Sequence, residues 1–385
     1  MTTSNKNEII GFELWAEKNQ NIMNAAAFLT LLIMCIGIIG NGLTIIALVK
    51  SPRIRNVASA FIISLGAADL LFCVVVLPFS VSRFLNFNWA QNPILCSIVP
   101  FLQYVNVGVS LLFISMITIN RYIMIVHTSL YSRIYRPIWI ASMIAFCLTL
   151  ALGMQIPTLL GIWGEYKHDP KLGTCSITVD RWGRSSKTAL FIIGFIIPCI
   201  VIVCCYTGIF WVIRKSENRM QKHQISTRSD PNTKSMQAIK RKRNEWRLTK
   251  MVLAIFLSFV ICYLPITIIK TTDPDVLHPV LHLIAYVMLY ISACFNPIIY
   301  VIMNKQYRKA YKSILQFGCC KTATKRMPVL RTISKRLHPH GNLPPSAHVN
   351  SQRQTQEEGC KTIVSQVSIA LETMDNNNRN MSSLI

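Results

Sequence analysis

Seven stretches of this chain are apolar for roughly 20 residues or more, the length of helix that crosses a bilayer. They run Ala25 to Val49, Ala58 to Val81, Cys96 to Val126, Pro137 to Gly161, Thr188 to Ile213, Met251 to Ile269 and Pro279 to Met303. Backbone amides in hydrocarbon find no water, so each stretch must close its hydrogen bonds internally as a helix. The expected fold class is an all-α membrane protein, a seven-transmembrane helix bundle over residues 25–303. Only 15% of the residues are charged and 52% are hydrophobic, whereas about a quarter are charged in ordinary soluble domains. Residues 1–24 are polar and lack the basic, apolar, small-residue order of a cleaved signal, so the first run is expected to serve as the insertion signal, with 1–24 as an extracellular N-terminus.

The net charge of +24 suggests nucleic acid until the cations are placed. With the N-terminus outside, 31 of the 40 Lys and Arg fall on the inner segments, most of them between Arg214 and Lys250 and after Lys305. That asymmetry orients the chain, N-terminus out and C-terminus in the cytoplasm. The basic runs then face anionic membrane lipid and a cytosolic partner rather than nucleic acid.

Cysteine placement narrows a list of 13 to one pair. Eight lie inside the apolar runs, where free Cys behaves as a small apolar residue. Cys319, Cys320 and Cys360 are on the reducing side. Cys96 and Cys175 alone face the oxidising side, so each has one available partner, subject to geometry.

Polar residues inside the runs mark the remaining candidates. Gly40-Asn41 reads as close helix packing with a buried amide bond. Asp69 is the single acid in any run and needs a proton or a cation. Pro78 lies above it, placed to kink the second helix and widen the outer half of the bundle. Gln103, Tyr104 and Asn106 sit at a depth a ligand can reach, interhelical hydrogen bonding being their other use. Arg121, in Asn120-Arg121-Tyr122, is 25 residues from Cys96, which at about 1.5 Å per residue puts the two at opposite membrane faces. The loop from Ile162 to Ser186 carries mixed charges suited to a lid or to plain solvation. Tyr206 follows Pro198 two turns deeper, and Lys240 to Lys250 extends the sixth helix into the cytosol with Glu245 alone among cations. Pro265 and Pro297 break helix hydrogen bonding in the sixth and seventh runs.

After Asn304, Tyr307, Tyr311, Ile314 and Leu315 make one face of an amphipathic helix 8 (residues 304–318) expected to lie on the inner membrane surface. Cys319-Cys320 suit palmitoylation. Residues 319–385 read as a disordered cytoplasmic tail, and Ser383-Leu384-Ile385 suits strand addition to a PDZ protein.

The order of these residues resembles that of the class A (rhodopsin-like) G-protein-coupled receptors: Gly40-Asn41, Asp69, Cys96, Asn120-Arg121-Tyr122, Trp139, Cys175, Pro198, Tyr206, Cys262 to Pro265 and Asn296 to Tyr300. Within the class, Thr118 to Pro137 and Phe295 to Tyr311 resemble the insect subfamily of trapped in endoderm, with moody and the melatonin receptors as looser relatives. The resemblance implies no enzyme and no cofactor beyond an allosteric sodium ion at Asp69, Ser110, Ser292 and Asn296. It implies coupling to a heterotrimeric G protein of the inhibitory or Go type, with arrestin and a receptor kinase acting on the tail. Arg121 would contact the G protein with Tyr206 and Tyr300 as active-state partners, and germ-cell migration and cell polarity would be the biological setting.

Two departures from the class pattern are plain. Asn120 replaces the usual acid before the arginine, which leaves its resting restraint to Glu245, and Tyr263 replaces the usual Trp beneath the ligand. The pocket implied by the resemblance is Gln103, Tyr104, Asn106, Tyr263, His282, Tyr286 and Tyr290. Gln103 stands where amine receptors carry Asp, and Tyr290 where retinal receptors carry Lys, so a lipid-like, small amphipathic or peptide ligand is expected. A transporter would show paired intramembrane charges or repeats, and an enzyme a spaced nucleophile, base or metal cluster; neither is legible here.

Overall fold

The computed structural model describes residues 15–51, 56–86, 92–169, 171–224, 233–273 and 275–314, without the side chains of 86, 216–224 and 233–245. Seven helices are long and apolar enough to cross a membrane: α1 Gln20–Lys50, α2 Val57–Leu85, α3 Pro93–Val126, α4 Pro137–Leu159, α5 Lys187–Lys215, α6 Trp246–Thr272 and α7 Pro279–Met303. The helix of α5 continues to Gln224, and that of α6 begins at Thr233. A short helix, Thr128–Ile134, joins α3 to α4, and α8 covers residues 305–314.

Local chemistry sets the starts of α2 and α3. Asn56 and Ser59 form a reciprocal capping box before α2. Asn92 accepts from the Ile94 and Leu95 amides, with Pro93 in the first turn of α3, so that helix begins three residues before the apolar run.

Pro78 and Pro198 are accommodated by widened turns rather than by simple kinks. Phe72–Val76 and Ile192–Ile196 are π-helical, and the Leu77 and Ile197 amides reach back to Phe72 and Ile192. A proline lacks an N–H and crowds the carbonyl four residues earlier; one extra residue per turn moves the backbone away.

The centre of the bundle is α3, which touches α2, α4, α5, α6 and the outer hairpin. Around it α7 packs on both α6 and α1. The α1–α7 contact depends on Gly40, because a Cβ there would lie 2.9 Å from Pro297 Cβ and Cγ. Asn41 beside it donates to the carbonyls of Gly37 and Ala293, which confirms the packing role read from the sequence. Large apolar side chains such as Phe28, Ile138, Phe146 and Trp211 are exposed around the perimeter, as a lipid-facing surface requires.

At the end of the bundle where α3 begins, β1 (Glu165–Asp169) pairs antiparallel with β2 (Thr174–Thr178), and Cys175 of β2 is disulfide-bonded to Cys96 of α3. The charged loop is therefore an ordered hairpin roofing the bundle, held also by the Tyr166 hydroxyl donating to Gln155 Oε1 at 2.7 Å.

Helix 8 forms as expected, with Tyr307 and Tyr311 on its buried face, but the surface that face meets differs. Tyr307 and Tyr311 are buried against the bundle rather than laid on lipid: Tyr307 stacks on Tyr300, and the Tyr311 hydroxyl is 2.6 Å from Thr44 Oγ1. Arg308, also buried, donates to the Val301 and Ile302 carbonyls and so caps the end of α7. Tyrosines carry hydroxyls that take partners inside protein, which aliphatic residues at these positions would not. Leu315, Cys319, Cys320 and Ser383-Leu384-Ile385 lie outside the described residues.

Candidate functional site

The functional side chains form three layers along the bundle axis. In the outer layer, beneath the hairpin, a narrow cleft is lined by Ser80, Arg83, Gln103, Tyr104, Ser176, Tyr286 and Tyr290 among others. Tyr104 and Ser176 oxygens are 3.4 Å apart, linking α3 to β2. Arg83 Nη2 donates to the Leu172 carbonyl at the hairpin turn, 2.8 Å away. His282 is buried at the rim of α7, its Nε2 lying 3.3 Å from Asp273 Oδ2. Burial works to raise the Asp273 carboxyl, but the Leu277 and His278 amides and the His282 side chain more than offset it, and the group is held below its ordinary value.

The middle layer centres on Asp69. Its Oδ2 accepts from Asn296 Nδ2 at 2.8 Å and its Oδ1 from Ser110 Oγ at 3.3 Å, so α2, α3 and α7 meet at one carboxylate. Asn106 turns toward this carboxylate rather than toward the ligand cleft, and its own Oδ1 is buried without a partner. Ser292 is not drawn to Asp69: its hydroxyl donates to the Leu289 carbonyl at 2.7 Å and approaches the Tyr263 hydroxyl at 3.4 Å. Tyr263 stacks on Phe259 with centroids 4.1 Å apart, at the end of an aromatic row from Phe191 and Phe195. Its hydroxyl thus ties α6 to α7, a link that a Trp at this position would make differently.

The inner layer surrounds Arg121, which is 3% exposed. Its Nη1 lies 3.9 Å from Met124 Sδ, and the guanidinium is within electrostatic reach of Tyr206 and Tyr307. The Tyr206 hydroxyl donates to the Thr249 carbonyl of α6 at 3.2 Å. Tyr122 fills the space left by Gly208, where a Cβ would stand 2.6 Å from its ring. Asn120 is fully buried with the Tyr135 hydroxyl as its polar neighbour, the two approaching short of close hydrogen-bond geometry. Burial pushes the Tyr135 phenol up to about 12. The Tyr300 hydroxyl is buried without a partner. The side chain of Glu245 is outside the described residues.

A family profile described as 7 transmembrane receptor (rhodopsin family) matches residues 40–300. The chain belongs to the rhodopsin family of seven-transmembrane receptors. This receptor is 50% identical over 364 residues to G-protein coupled receptor moody of Drosophila melanogaster, covering 82% of this chain and 54% of that one. It is 38% identical over 301 residues to protein trapped in endoderm-1 of the same fly, covering 75% and 76%. The mouse melatonin receptor type 1A is 28% identical over 310 residues, covering 77% and 82%. The likeness to moody exceeds that to trapped in endoderm, the reverse of the order read from the motifs. The receptor spans about half the length of the moody proteins it matches. Squid rhodopsin shares the fold, with a TM-score of 0.67 at 22% identity over 76% of this chain and 80% of that one.

Reading the receptor's sequence missed Arg83 and Lys270, which count there only as outer-side cations. Arg83 lines the cleft and Lys270 stands beside it against Tyr104 and Tyr286, and a signal was available. Val76, Ser80 and Arg83 follow one another at i, i+4 and i+7, as Tyr263, Ile266 and Lys270 do at i, i+3 and i+7, so each cation continues a buried stripe. Asn106 could have been assigned the same way, since Ser110 lies one turn below it on the Asp69 face. The residues of the middle layer suit the sodium ion implied by the family: the Asp69 carboxylate, the Ser110 hydroxyl bonded to it and the unpartnered Oδ1 of neighbouring Asn106 are hard oxygen donors that would hold it.

Proposed function

We propose that this receptor binds a ligand entering from the outside and passes the change to a heterotrimeric G protein, of the inhibitory or Go type, by uncovering Arg121. The observation that carries this reading is the buried Arg121 cation under a cytoplasmic end closed by the Tyr206–Thr249 hydrogen bond. A charge kept from water at the rim of a bundle is a group held in reserve for a partner, and outward movement of α6 releases the bond that covers it. Glu245 supplies a second restraint from the cytosolic extension of α6 in the resting state.

Sodium bound at Asp69, Ser110 and Asn296, with Asn106 in place of Ser292, stabilises that resting state by neutralising the carboxylate between α2, α3 and α7. The receptor works at the plasma membrane with its N-terminus outside. Its Ser/Thr-rich tail serves a receptor kinase and arrestin, Cys319 and Cys320 carry palmitate, and Ser383 to Ile385 engages a PDZ protein. Likeness to trapped in endoderm-1 and moody supports a role in directed cell migration, including germ cells, and in cell polarity. Germ-cell tracks in animals lacking the receptor test that setting; normal migration would overturn it.

The molecular reading is tested by nucleotide exchange on a purified inhibitory G protein with and without the full-length receptor in lipid discs. Acceleration above the receptor-free rate is expected. An exchange rate unchanged at every receptor concentration, for inhibitory and Go proteins alike, would overturn it.

A further inference from the structure

Two cations face one aromatic ring of the outer cleft, that of Tyr286. Arg83 Cζ is 5.0 Å from the Tyr286 ring centroid and Lys270 Nζ is 5.2 Å from the same centroid. Arg83 is 4% exposed, and one of its donors is engaged by the Leu172 carbonyl while its buried Nε has no partner. Lys270 is neighboured by the Tyr104 and Tyr286 hydroxyls, and Tyr290 is within reach of both cations.

Among the described residues, no carboxylate is ion-paired with Arg83 or Lys270. The described acids at this end are committed elsewhere: Asp273 to His282 and two backbone amides, Asp275 to Lys171, Glu165 to Lys167, Asp180 to Arg184, and Asp169 to the Lys171 amide. Asp69 is bound in the layer below by Asn296 and Ser110. Arg83 is buried and Lys270 half-buried against the same ring, and two like charges so placed repel each other. Cation–π contact with Tyr286 offsets only part of that cost.

We infer that the ligand of this cleft is an anionic amphiphile whose carboxylate or phosphate head is held between Arg83 and Lys270, with tyrosine hydroxyls as further donors. The inference rests on the receptor reading above and names its ligand class. Arg83 supplies the free Nε–H, and Lys270 supplies an ammonium; bonds from such donors to an oxyanion are roughly twice as strong as neutral ones. The apolar body of the ligand meets Val99, Pro100 and the Tyr290 ring, which line the cleft. Neutral and cationic amphiphiles of the same shape leave the two positive charges uncompensated and are excluded by that cost.

The test uses the full-length receptor in phosphatidylcholine discs, with dodecanoate, dodecyl phosphate, dodecanol and dodecyltrimethylammonium as probes of one chain length. Binding is read as a rise in thermal unfolding midpoint at increasing probe concentration. Dodecanoate or dodecyl phosphate is expected to raise the midpoint in the native receptor, the better of the two identifying the head as carboxylate or phosphate, while the alcohol and the ammonium do not. Arg83→Gln and Lys270→Gln each weaken anion binding by roughly 30-fold or more, as loss of one partner of a buried charge pair implies, and Arg83→Lys falls between. Should the glutamine variants not fold, the probe series on the native receptor decides alone. Equal shifts from dodecanol, or no shift from either anion, would overturn the inference. Basal nucleotide exchange, read on the same discs without any probe, reports separately on the receptor reading: exchange with no anion preference sinks the ligand class alone.

Discussion

The Tyr206 hydroxyl donates to the Thr249 carbonyl across the α5–α6 gap at 3.2 Å, in the same layer as a nearly inaccessible Arg121. A single neutral hydrogen bond contributes about 1 kcal/mol, enough to bias a two-state bundle by about fivefold. Tyr206→Phe is therefore expected to raise the fraction of receptors with α6 swung outward, measured by spin-label distances between the inner ends of α3 and α6. Glu245→Ala is expected to shift the same distribution in the same direction; a distribution identical to that of the native receptor for both variants would remove the restraint from the account.

Gly40 and Gly42 make a paired comparison. Alanine at Gly40 puts a methyl 2.9 Å from two Pro297 carbons, whereas nothing lies within 4 Å of a Cβ at Gly42. Overpacking of a helix contact costs about 1–3 kcal/mol, so Gly40→Ala lowers the thermal midpoint and Gly42→Ala leaves it near the native value or above. Equal effects from the two would show that the close α1–α7 approach is not under steric control.

Asp69 gathers α2, α3 and α7, and the sodium proposal makes its charge the reason for ion sensitivity. Replacing choline chloride by sodium chloride at equal ionic strength is expected to raise the native receptor's midpoint and to leave that of Asp69→Asn unchanged. A sodium response retained by Asp69→Asn would place the ion elsewhere.

The shape of the bundle was legible because apolar length and backbone satisfaction fix where helices cross, and the observed spans differ from the runs by a few residues at most ends. Depth along each helix was legible too, through spacing alone. What spacing left undecided was which way a polar residue turns. Of the two uses open to Asn106, the structure takes the interhelical one, toward Asp69; Ser292, expected at Asp69, bonds along its own helix and to Tyr263; Tyr307 and Tyr311, expected on lipid, belong to the bundle. The π turns before Pro78 and Pro198 rotate everything above them, a change of register that no local residue announces. The hairpin escaped for another reason: its strands are five residues each, β1 is mostly charged, and β2 is pinned by the distant Cys96.

Acid stability should report on the α6–α7 turn. Because the Asp273 carboxyl is held below its ordinary value of 3.8, its stabilising bonds are complete above that pH and are lost as the pH falls through the lowered value. Asp273→Asn is expected to flatten the decline in thermal midpoint below about pH 4 while lowering the midpoint at neutral pH. A native-like acid slope in the variant would detach the turn from this linkage.

The central claim is that Arg121 is the group the bundle hides and then presents. The most direct measurement is nucleotide exchange on an inhibitory G protein by Arg121→Ala and native receptor at matched amounts of folded protein in discs. The account predicts that the variant falls to the receptor-free rate; exchange equal to that of the native receptor would contradict it.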